Sequence, residues 1–513
     1  MTYHEDELKK VGSVENVHIE EANGGDHDRI DPEVAKYMSA TAIEIDEDTN
    51  KRLKRMIDKR VLTVMVVTYF LQALDKGTLS FSSIMNLPQD THLEGQQYSW
   101  LTTCIYIAVL IVEYPTNWII QKVPIAKYLS FNILCWSAVL ALHALCKNFV
   151  SLVVVRTLLG IFEASCQPIF LLLSGMWYKR DEQAFIVTIW YMMNGFQQIV
   201  GGVLAYAFTN ITSGPLKSWQ ALFLSYGCIS FAWGLVVLFI MPDSPMRAKC
   251  FSEEDKKLMV ERVRSNQTGL QNRKFRKDQL IDALKDPQVW CYGLIAFFTT
   301  LPTSGLGAFA NIIITGFGFT VLQTQLLAMV LGVYIMFTLL TSTYVSKRWG
   351  NTILVMIVYC IPSVVGTVVL MTVENTSLAT KAGLLFSYYL VLSFWGCANL
   401  SLSLLSRNVG GQTKKSVAVA INFIFWAIGN AIGPQVFTQN DAPRYFKGFA
   451  VHIACYACLF IIMIFLRSWF IYQNKKKERY LKEELAVSNP EQDLSRSFDD
   501  LTDRQNHYFK YVY

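Results

Sequence analysis

Residues 288–346 read QVWCYGLIAFFTTLPTSGLGAFANIIITGFGFTVLQTQLLAMVLGVYIMFTLLTSTYVS, without a single Asp, Glu, Lys or Arg. A helix of about 20 apolar residues crosses the hydrocarbon core of a bilayer, which is about 30 Å thick. The stretch is long enough for two such crossings, at 288–312 and 325–346, with a short turn between them. It therefore predicts a membrane protein built from helical spans.

The rest of the chain repeats this bias. Of its 513 residues, 52% are hydrophobic and 17% are charged, whereas a soluble domain carries about 25% charged residues. The pattern predicts twelve spans, all helical because lipid cannot satisfy an exposed backbone polar group. The spans, numbered along the chain, are 61–80, 98–120, 128–146, 149–171, 184–208, 219–241, 288–312, 325–346, 351–373, 382–405, 416–437 and 448–472.

The polar segment 242–287 divides the spans into six and six. The predicted fold is an all-α membrane protein with two six-helix, pseudo-symmetric bundles, at 59–241 and 288–472. Transporters of this plan bind their substrate near the bilayer midplane, between the two halves. The polar tails are 1–58 and 473–513, of which 1–40 and 485–513 are predicted to be disordered. Ser252 followed by acidic residues predicts the start of a surface helix near 252–265.

Lysine and arginine set the predicted orientation, because loops on the cytosolic side carry an excess of both. Basic residues crowd the entrance to span 1, the loops after the even-numbered spans and the segment after span 12. Representative positions are Lys51, Arg52, Lys122, Lys179, Arg180, Lys347, Arg348, Lys414, Lys415, Lys475 and Lys476. Both termini are therefore expected in the cytosol. The polar N-terminus contains no short apolar core, so no cleavable signal peptide is predicted.

Ionisable residues inside the spans are rare and concentrated in the first half. In the first half these are Asp75 and Lys76 in span 1, Glu113 in span 2, and Arg156 with Glu163 in span 4. A charge at the bilayer centre costs roughly 2.5–3.5 kcal/mol on insertion scales, so such residues point to function. A rise of about 1.5 Å per residue places Arg156 near the depth of Asp75 and Lys76, with Glu163 about 10 Å deeper.

These depths suggest a ladder of four charged groups between spans 1 and 4 that lines a central cavity. In this hypothesis Lys76 or Arg156 attracts a substrate carboxylate, and Asp75 and Glu163 bind and release protons. Protonation of an acid frees its cationic partner to hold an anion, which couples the proton to the substrate. The alternative is a set of structural ion pairs that lock two helices. Glu113, near the cytosolic end of span 2, is either a gating group or a structural one.

Neutral polar residues of the second half complete the predicted site. Thr300, Pro302 and Thr303 lie in span 7, where Pro and Gly are expected to interrupt the helix, as happens at binding sites and hinges. A packing kink satisfied by the hydroxyls is the alternative. Asn399, Asn422 and Asn430 could bond the substrate, or could instead hold helices together.

The chain resembles the major facilitator superfamily, and within it the fungal allantoate permease branch of the anion:cation symporters. The stretches that carry the resemblance are Leu74-Asp75-Lys76, Glu113-Tyr114-Pro115-Thr116-Asn117, Arg156 to Ala164, Trp177 to Gln183, Met241 to Pro245, Asn408 to Lys415, Gly429-Asn430 and Gly433-Pro434-Gln435. The resemblance implies this fold and the uptake of a small carboxylate by proton symport. It also implies that Asp75 and Glu163 take protons and that Lys76 and Arg156 engage substrate or relay charge. The chain departs from the superfamily after span 2, where 121–127 lacks the usual acidic and glycine-rich signature.

Other classes of protein fit less well. The sequence has no Gly-x-x-x-x-Gly-Lys-Ser/Thr loop for ATP, and no convergent catalytic constellation, so we expect neither a pump nor an enzyme. We expect no cofactor, metal or nucleic acid, and a monomer whose partners are an organic anion, a proton and the lipid bilayer. A uniporter or exchanger of the same substrates and a non-transporting nutrient sensor remain as alternatives. The expected location is the plasma membrane, with the endoplasmic reticulum as the alternative.

Overall fold

The computed structural model describes residues 45–120, 122–210, 215–248, 250–264, 276–485 and 501–513. The prediction of disorder for residues 1–40 lies outside these ranges. Every predicted span coincides with a helix or with consecutive helices. In order, these are Thr63–Ser83; Gln97–Ile120; Ile125–Leu142; Phe149–Glu163 with Cys166–Trp177; Arg180–Tyr191 with Met193–Thr209; Ser218–Ile240; Pro287–Gly316; Val321–Trp349; Thr352–Thr372; Leu378–Val391 with Trp395–Asn408; Gln412–Ile432; and Phe446–Leu485.

Length and hydropathy support membrane crossing for most of these helices. Within the described ranges, nine helices are long and apolar enough to cross a membrane. Many large apolar side chains on them are exposed, such as Phe239 at 82% and Ile461 at 68%. An apolar residue that faces outward is stable in contact with lipid rather than water. The all-α fold of two helical bundles is therefore as the sequence predicts.

The two halves meet along spans 1, 2 and 5 of the first and spans 7, 8 and 11 of the second. Small residues allow the close approach of span 5 to span 8, since a Cβ on Gly195 would lie 2.8 Å from the carbonyl oxygen of Gly332. Small residues at helix contacts are typical of membrane proteins, because packing rather than the hydrophobic effect holds the helices together.

One face of the bundle carries the polar helices and residues 501–513, and we call it the linker face. Hydrogen bonds between the halves lie toward the opposite face. The Tyr98 hydroxyl donates to the Ala308 carbonyl oxygen at 2.8 Å, and the Thr103 hydroxyl donates to the Ala431 carbonyl oxygen at 2.7 Å. The two halves are thus joined at the face opposite the linker.

In the part of the chain that the structure describes, three helices flank the spans on the linker face. The amphipathic helix Glu47–Ile57 buries Leu53 and Ile57. Asp46 caps its N-terminus, since the Asp46 carboxylate accepts from the Thr49 amide at 3.2 Å. The first linker helix, Glu253–Arg264, confirms the predicted surface helix. The buried Arg262 joins it to the first bundle by donating to both carboxylate oxygens of Glu182 at 2.7 Å.

The second linker helix, Lys277–Lys285, packs against span 11 and was not predicted from the sequence. The prediction that 485–513 is disordered is wrong for residues 501–513, which fold back onto the second bundle and bury Thr502, Asp503 and Tyr511. Composition alone cannot show that a polar segment is ordered when its order depends on a few buried contacts.

Candidate functional site

A narrow cavity lies between the two halves at the middle of the spans. Spans 1, 2 and 4 contribute most of its lining and span 11 contributes the rest. The lining residues are Gln72, Lys76, Ile105, Tyr106, Val109, Glu163, Ala164, Gln167, Phe423 and Trp426. A site between the halves at this depth is where a two-bundle transporter binds its substrate.

An ion pair between spans 1 and 4 forms the charged part of the cavity. Lys76 Nζ lies 3.4 Å from Glu163 Oε2, with the lysine side chain 31% exposed and the glutamate side chain 1% exposed. Gln72, one turn before Lys76, donates from Nε2 to the Glu163 carbonyl oxygen at 3.1 Å and so fixes the two spans to each other. The Lys76 ammonium group is thus accessible from the cavity, and the buried Glu163 carboxylate forms part of the cavity wall.

Close helix packing brings the second span to this pair. A Cβ on Gly160 would lie 2.6 Å from the Ile105 carbonyl oxygen, so only glycine lets span 4 approach span 2 this closely. Glu163 follows Gly160 by almost one turn and therefore points to the side on which Tyr106 lies. The same packing aligns Gln167, one turn further on, with the cavity.

Aromatic rings form the opposite wall. The ring of Tyr106 from the first half meets that of Trp426 from the second half edge-on, with centroids 5.6 Å apart and planes at 78°. Phe423 packs against Trp426 at 5.0 Å. Among the lining residues, the second half supplies these two rings and no charge. The cavity therefore has a charged wall and an aromatic wall.

Asp75 does not lie on this cavity, which corrects the predicted four-group ladder. It is fully buried and points toward spans 3 and 6, where one carboxylate oxygen accepts from Trp136 Nε1 at 3.2 Å and from the Ser230 hydroxyl at 3.3 Å. Its other oxygen lacks a hydrogen-bond partner. Successive residues of a helix point about 100° apart, and here Lys76 lines the cavity while Asp75 points into the first bundle.

Arg156 also departs from the ladder. It is 1% exposed and lies inside the first bundle, with its guanidinium carbon 5.6 Å from the centre of the Phe223 ring. Its Nε and Nη2 atoms have no hydrogen-bond partner. It shares a helix with Glu163, as predicted, but it does not line the cavity.

Of the residues predicted in span 7, Thr300 joins its helix to span 11. Span 7 runs from Pro287 to Gly316 without interruption, so the expected break at Pro302 is absent. The Thr300 hydroxyl bonds the Ala296 carbonyl oxygen of its own helix at 2.7 Å and the Trp426 carbonyl oxygen of span 11 at 3.2 Å. Thr303 likewise bonds its own helix, at the Thr299 carbonyl oxygen. The threonine hydroxyls satisfy backbone groups rather than face the cavity.

The remaining predicted residues lie away from the cavity lining. Asn399 donates to the Thr343 hydroxyl at 3.2 Å, and Asn430 donates to the Trp426 carbonyl oxygen of its own helix at 2.8 Å. Asn422 is 7% exposed, one residue before Phe423. Glu113 is half-buried near the linker end of span 2. Of the predicted site residues, the structure thus brings Lys76 and Glu163 together at the cavity.

Eight of the ten lining residues were not predicted from the sequence, and five of these eight are polar or aromatic: Gln72, Tyr106, Gln167, Phe423 and Trp426. Gln72 and Gln167 each lie four residues from a predicted charge, on the same helix face. That spacing would have identified them. Tyr106, Phe423 and Trp426 give no such signal, since aromatic residues are frequent throughout the spans.

Comparison with known proteins identifies the family. Residues 65–434 match the Major Facilitator Superfamily. An uncharacterized transporter of Schizosaccharomyces pombe is 35% identical, with 94% of this chain and 92% of that protein covered. The Thiamine pathway transporter of Saccharomyces cerevisiae is 32% identical (91% and 87% covered), and the Allantoate permease of the same yeast is 30% identical (94% and 90% covered).

A solved structure supports the fold. The inward-facing bacterial homolog of the human lysosomal transporter Spinster aligns with a TM-score of 0.58 at 16% identity, covering 79% of this chain and 95% of that one. Together with the two helical bundles and the cavity between them, these likenesses place the chain in a class of membrane transporters rather than enzymes. The chain belongs to the major facilitator superfamily, in the fungal branch that includes allantoate permease.

Proposed function

We propose that this transporter imports a small organic anion together with a proton. The observation that carries the proposal is the ion pair of Lys76 and Glu163 on the central cavity, with the nitrogen and oxygen 3.4 Å apart. A cation that reaches into a cavity otherwise lined by polar, aromatic and aliphatic groups favours an anionic ligand. A carboxylate that holds the same cation is suited to make that ligand's binding depend on protonation.

The coupling follows from competition for Lys76. When Glu163 is ionised it neutralises the lysine, and an incoming carboxylate meets a cation that already has a partner. When Glu163 is protonated it no longer attracts Lys76, and the ammonium group is free to bind the anion. The proton and the anion then enter together, and neither leaves an uncompensated charge at the middle of the membrane.

Three further ionisable groups of the first bundle, Asp75, Arg156 and Glu113, lie away from the cavity. We assign Asp75 as a second proton site, since its free oxygen is buried beside the residue that binds the anion. In the conformation described, Arg156 lies on the helix of Glu163 but away from the cavity. Arg156 therefore supplies a positive charge inside the first bundle, and it contacts the substrate only if the helices rearrange. Glu113, half-buried near the linker end of span 2, remains our candidate gating group.

The aromatic wall restricts the shape of the anion. A carboxylate bound at Lys76 leaves the body of the molecule against Trp426, Phe423 and Tyr106. Aromatic faces and edges favour flat groups, and such contacts contribute about 0.5–1.5 kcal/mol beyond burial. We therefore propose a small carboxylate with a planar body, such as a ureide or a vitamin-type carboxylic acid. The name of the related Allantoate permease supports a ureide anion.

The membrane and the orientation belong to the same proposal. We infer that the linker face lies in the cytosol, because the loops rich in lysine and arginine belong to it. Both termini are then cytosolic, and the two halves are joined at the outer face. We propose a monomer in the plasma membrane, with the endoplasmic reticulum as the alternative.

Uptake into vesicles tests the proposal. Purified protein in liposomes is supplied with radiolabelled allantoate or nicotinate, with and without an inward proton gradient. We expect the gradient to drive accumulation by the natural chain and not by Glu163→Gln, which keeps exchange because Lys76 stays free. Glu374→Gln, an exposed carboxyl far from the cavity, serves as the control. Gradient-driven accumulation by Glu163→Gln would refute the coupling, and gradient-independent uptake by the natural chain would favour a uniporter.

A further inference from the structure

The C-terminal segment, residues 501–513, occupies a built site on the linker face of the second bundle. Thr502 and Asp503 are fully buried and Tyr511 is 2% exposed. A buried carboxylate on an otherwise polar tail needs specific partners, because an unpaired buried charge is strongly destabilising. The partners of this one come from several spans.

The Asp503 carboxylate is saturated with donors. Its Oδ1 accepts from the Gly410 amide at 3.1 Å and lies 2.9 Å from Lys414 Nζ. Its Oδ2 accepts from Gln288 Nε2 at 2.7 Å and from the Tyr511 hydroxyl at 2.6 Å. A carboxylate accepts about four such bonds. The site therefore matches a carboxylate and leaves no place for a group that donates.

Lys414 connects this carboxylate to the linker. It is fully buried at the start of span 11 and pairs with Asp282 at 3.0 Å, Asp286 at 2.6 Å and Asp503 at 2.9 Å. The first two partners belong to the second linker helix and to the start of span 7. The C-terminal segment thus supplies the third carboxylate around one buried cation.

Two asparagines recognise the backbone of the segment. Asn474 of span 12 accepts from the Tyr511 amide and donates to the Tyr511 carbonyl oxygen, both at 2.9 Å. Asn408 of span 10 makes the same pair of bonds to Val512, at 2.8 and 2.7 Å. Paired backbone bonds with pockets for selected side chains are how proteins bind extended peptides.

Lys477 and an aromatic shelf complete the site. Lys477 Nζ donates to the carbonyl oxygens of Asn506 at 3.0 Å and Phe509 at 2.9 Å, and also to that of Asp503. The Tyr511 ring stacks on Phe470 with centroids 5.2 Å apart and planes at 11°. Without the segment, Lys477 would lose three acceptors and Phe470 would lose its cover.

We propose that this face is a peptide-binding site whose ligand is the chain's own C-terminal segment, an aromatic peptide with one buried carboxylate, that of Asp503. Its occupancy braces the linker ends of five spans, which contact the segment through Gln288 of span 7, Thr352 of span 9, Asn408 of span 10, Lys414 of span 11 and Asn474 of span 12. A half that rocks as a rigid body during transport depends on such bracing. The segment does not touch the central cavity, so it controls the rate of transport and not the affinity for substrate.

A split-chain experiment tests the site. A chain ending at residue 500 is purified, and a synthetic peptide of 501–513 is added. We expect the truncated chain to have a lower melting temperature and a lower maximal uptake rate with unchanged KM, and we expect the peptide to bind saturably and restore both. A peptide with Asp503→Asn should bind at least tenfold more weakly, because its NH2 group would face N–H and O–H donors where the carboxylate oxygen accepts hydrogen bonds. A Lys510→Gln peptide, altered at an exposed position, should bind like the natural one.

Two results would overturn the proposal. The first is a truncated chain with the melting temperature and uptake rate of the full chain. The second is equal binding of the natural and Asp503→Asn peptides.

If the truncated chain does not fold, the full-length Asp503→Asn and Lys510→Gln variants decide the question. We expect only the first to lose melting temperature and maximal uptake rate. Identical behaviour of the two would exclude a brace at Asp503.

Discussion

Removal of the cavity cation gives the most direct test of the central ion pair. In Lys76→Met the carboxylate of Glu163, 1% exposed, loses a cation at 3.4 Å. Coulomb's law at an effective dielectric constant of about 20 gives roughly 5 kcal/mol for this separation. The lysine is 31% exposed and both groups were desolvated, so screening and desolvation offset much of this. We expect a net loss of about 2 kcal/mol in stability.

A second substitution isolates the pair. Glu163→Gln in the Lys76→Met background removes the unpaired charge and should recover most of the lost stability. The coupling energy from the double-mutant cycle should exceed about 1 kcal/mol. The defect of Lys76→Met alone should also shrink at acidic pH, because protonation of Glu163 removes the same charge. The defect must shrink rather than grow as the pH falls, since a neutral carboxyl group needs no cation.

The assay is thermal unfolding of the purified protein in detergent, near pH 7.5 and near pH 5.5. Lys347→Met serves as a control, since it removes an exposed lysine on the linker face. Ligand stabilisation by a carboxylate, measured in the same samples, should disappear in Lys76→Met. The reasoning is refuted if single and double variants unfold at the same temperature, or if Lys76→Met binds the carboxylate as well as the natural chain.

Two further predictions concern the cavity wall and the joined face. In Trp426→Leu, benzoate should compete about five- to tenfold more weakly with uptake of the labelled substrate, because its flat ring packs on the aromatic wall. Competition by cyclohexanecarboxylate, whose ring is not flat, should be nearly unchanged. Equal effects on both competitors would argue against a planar substrate. Tyr98→Phe removes the 2.8 Å hydrogen bond to the Ala308 carbonyl oxygen, which contributes about 1 kcal/mol. A thiol reagent added at the face opposite the linker should therefore label a cysteine placed in the cavity about fivefold faster. An unchanged labelling rate would show that this bond does not hold the two halves together.

The predicted spans were accurate because a bilayer makes strong demands on composition. A helix in lipid must be apolar over about 20 residues, so the twelve spans can be read without tertiary contacts. The same reasoning identified Lys76 and Glu163, which are distant in the chain and meet at the cavity. Charge in a span is rare enough that the residues that carry it stand out.

The helix that carries each charge was predictable, but the direction of each side chain was not. Asp75 and Lys76 are adjacent and lie at one depth, yet only the lysine lies on the cavity. The rotation of each helix about its axis depends on all of its packing partners, such as Gly160 against span 2. This explains why Arg156 and Asp75 lie inside the first bundle and why Thr300 bonds span 11 instead of a substrate.

The sequence by itself determined the helical spans, the division into two halves and the presence of charge at their centre, because these follow from the cost of placing polar groups in lipid. Only the tertiary structure decided which charges share the cavity, that aromatic rings face them, and that residues 501–513 are held in place. Those features depend on contacts between residues far apart in the chain. The buried pair of Lys414 and Asp503 has no local pattern that would reveal it.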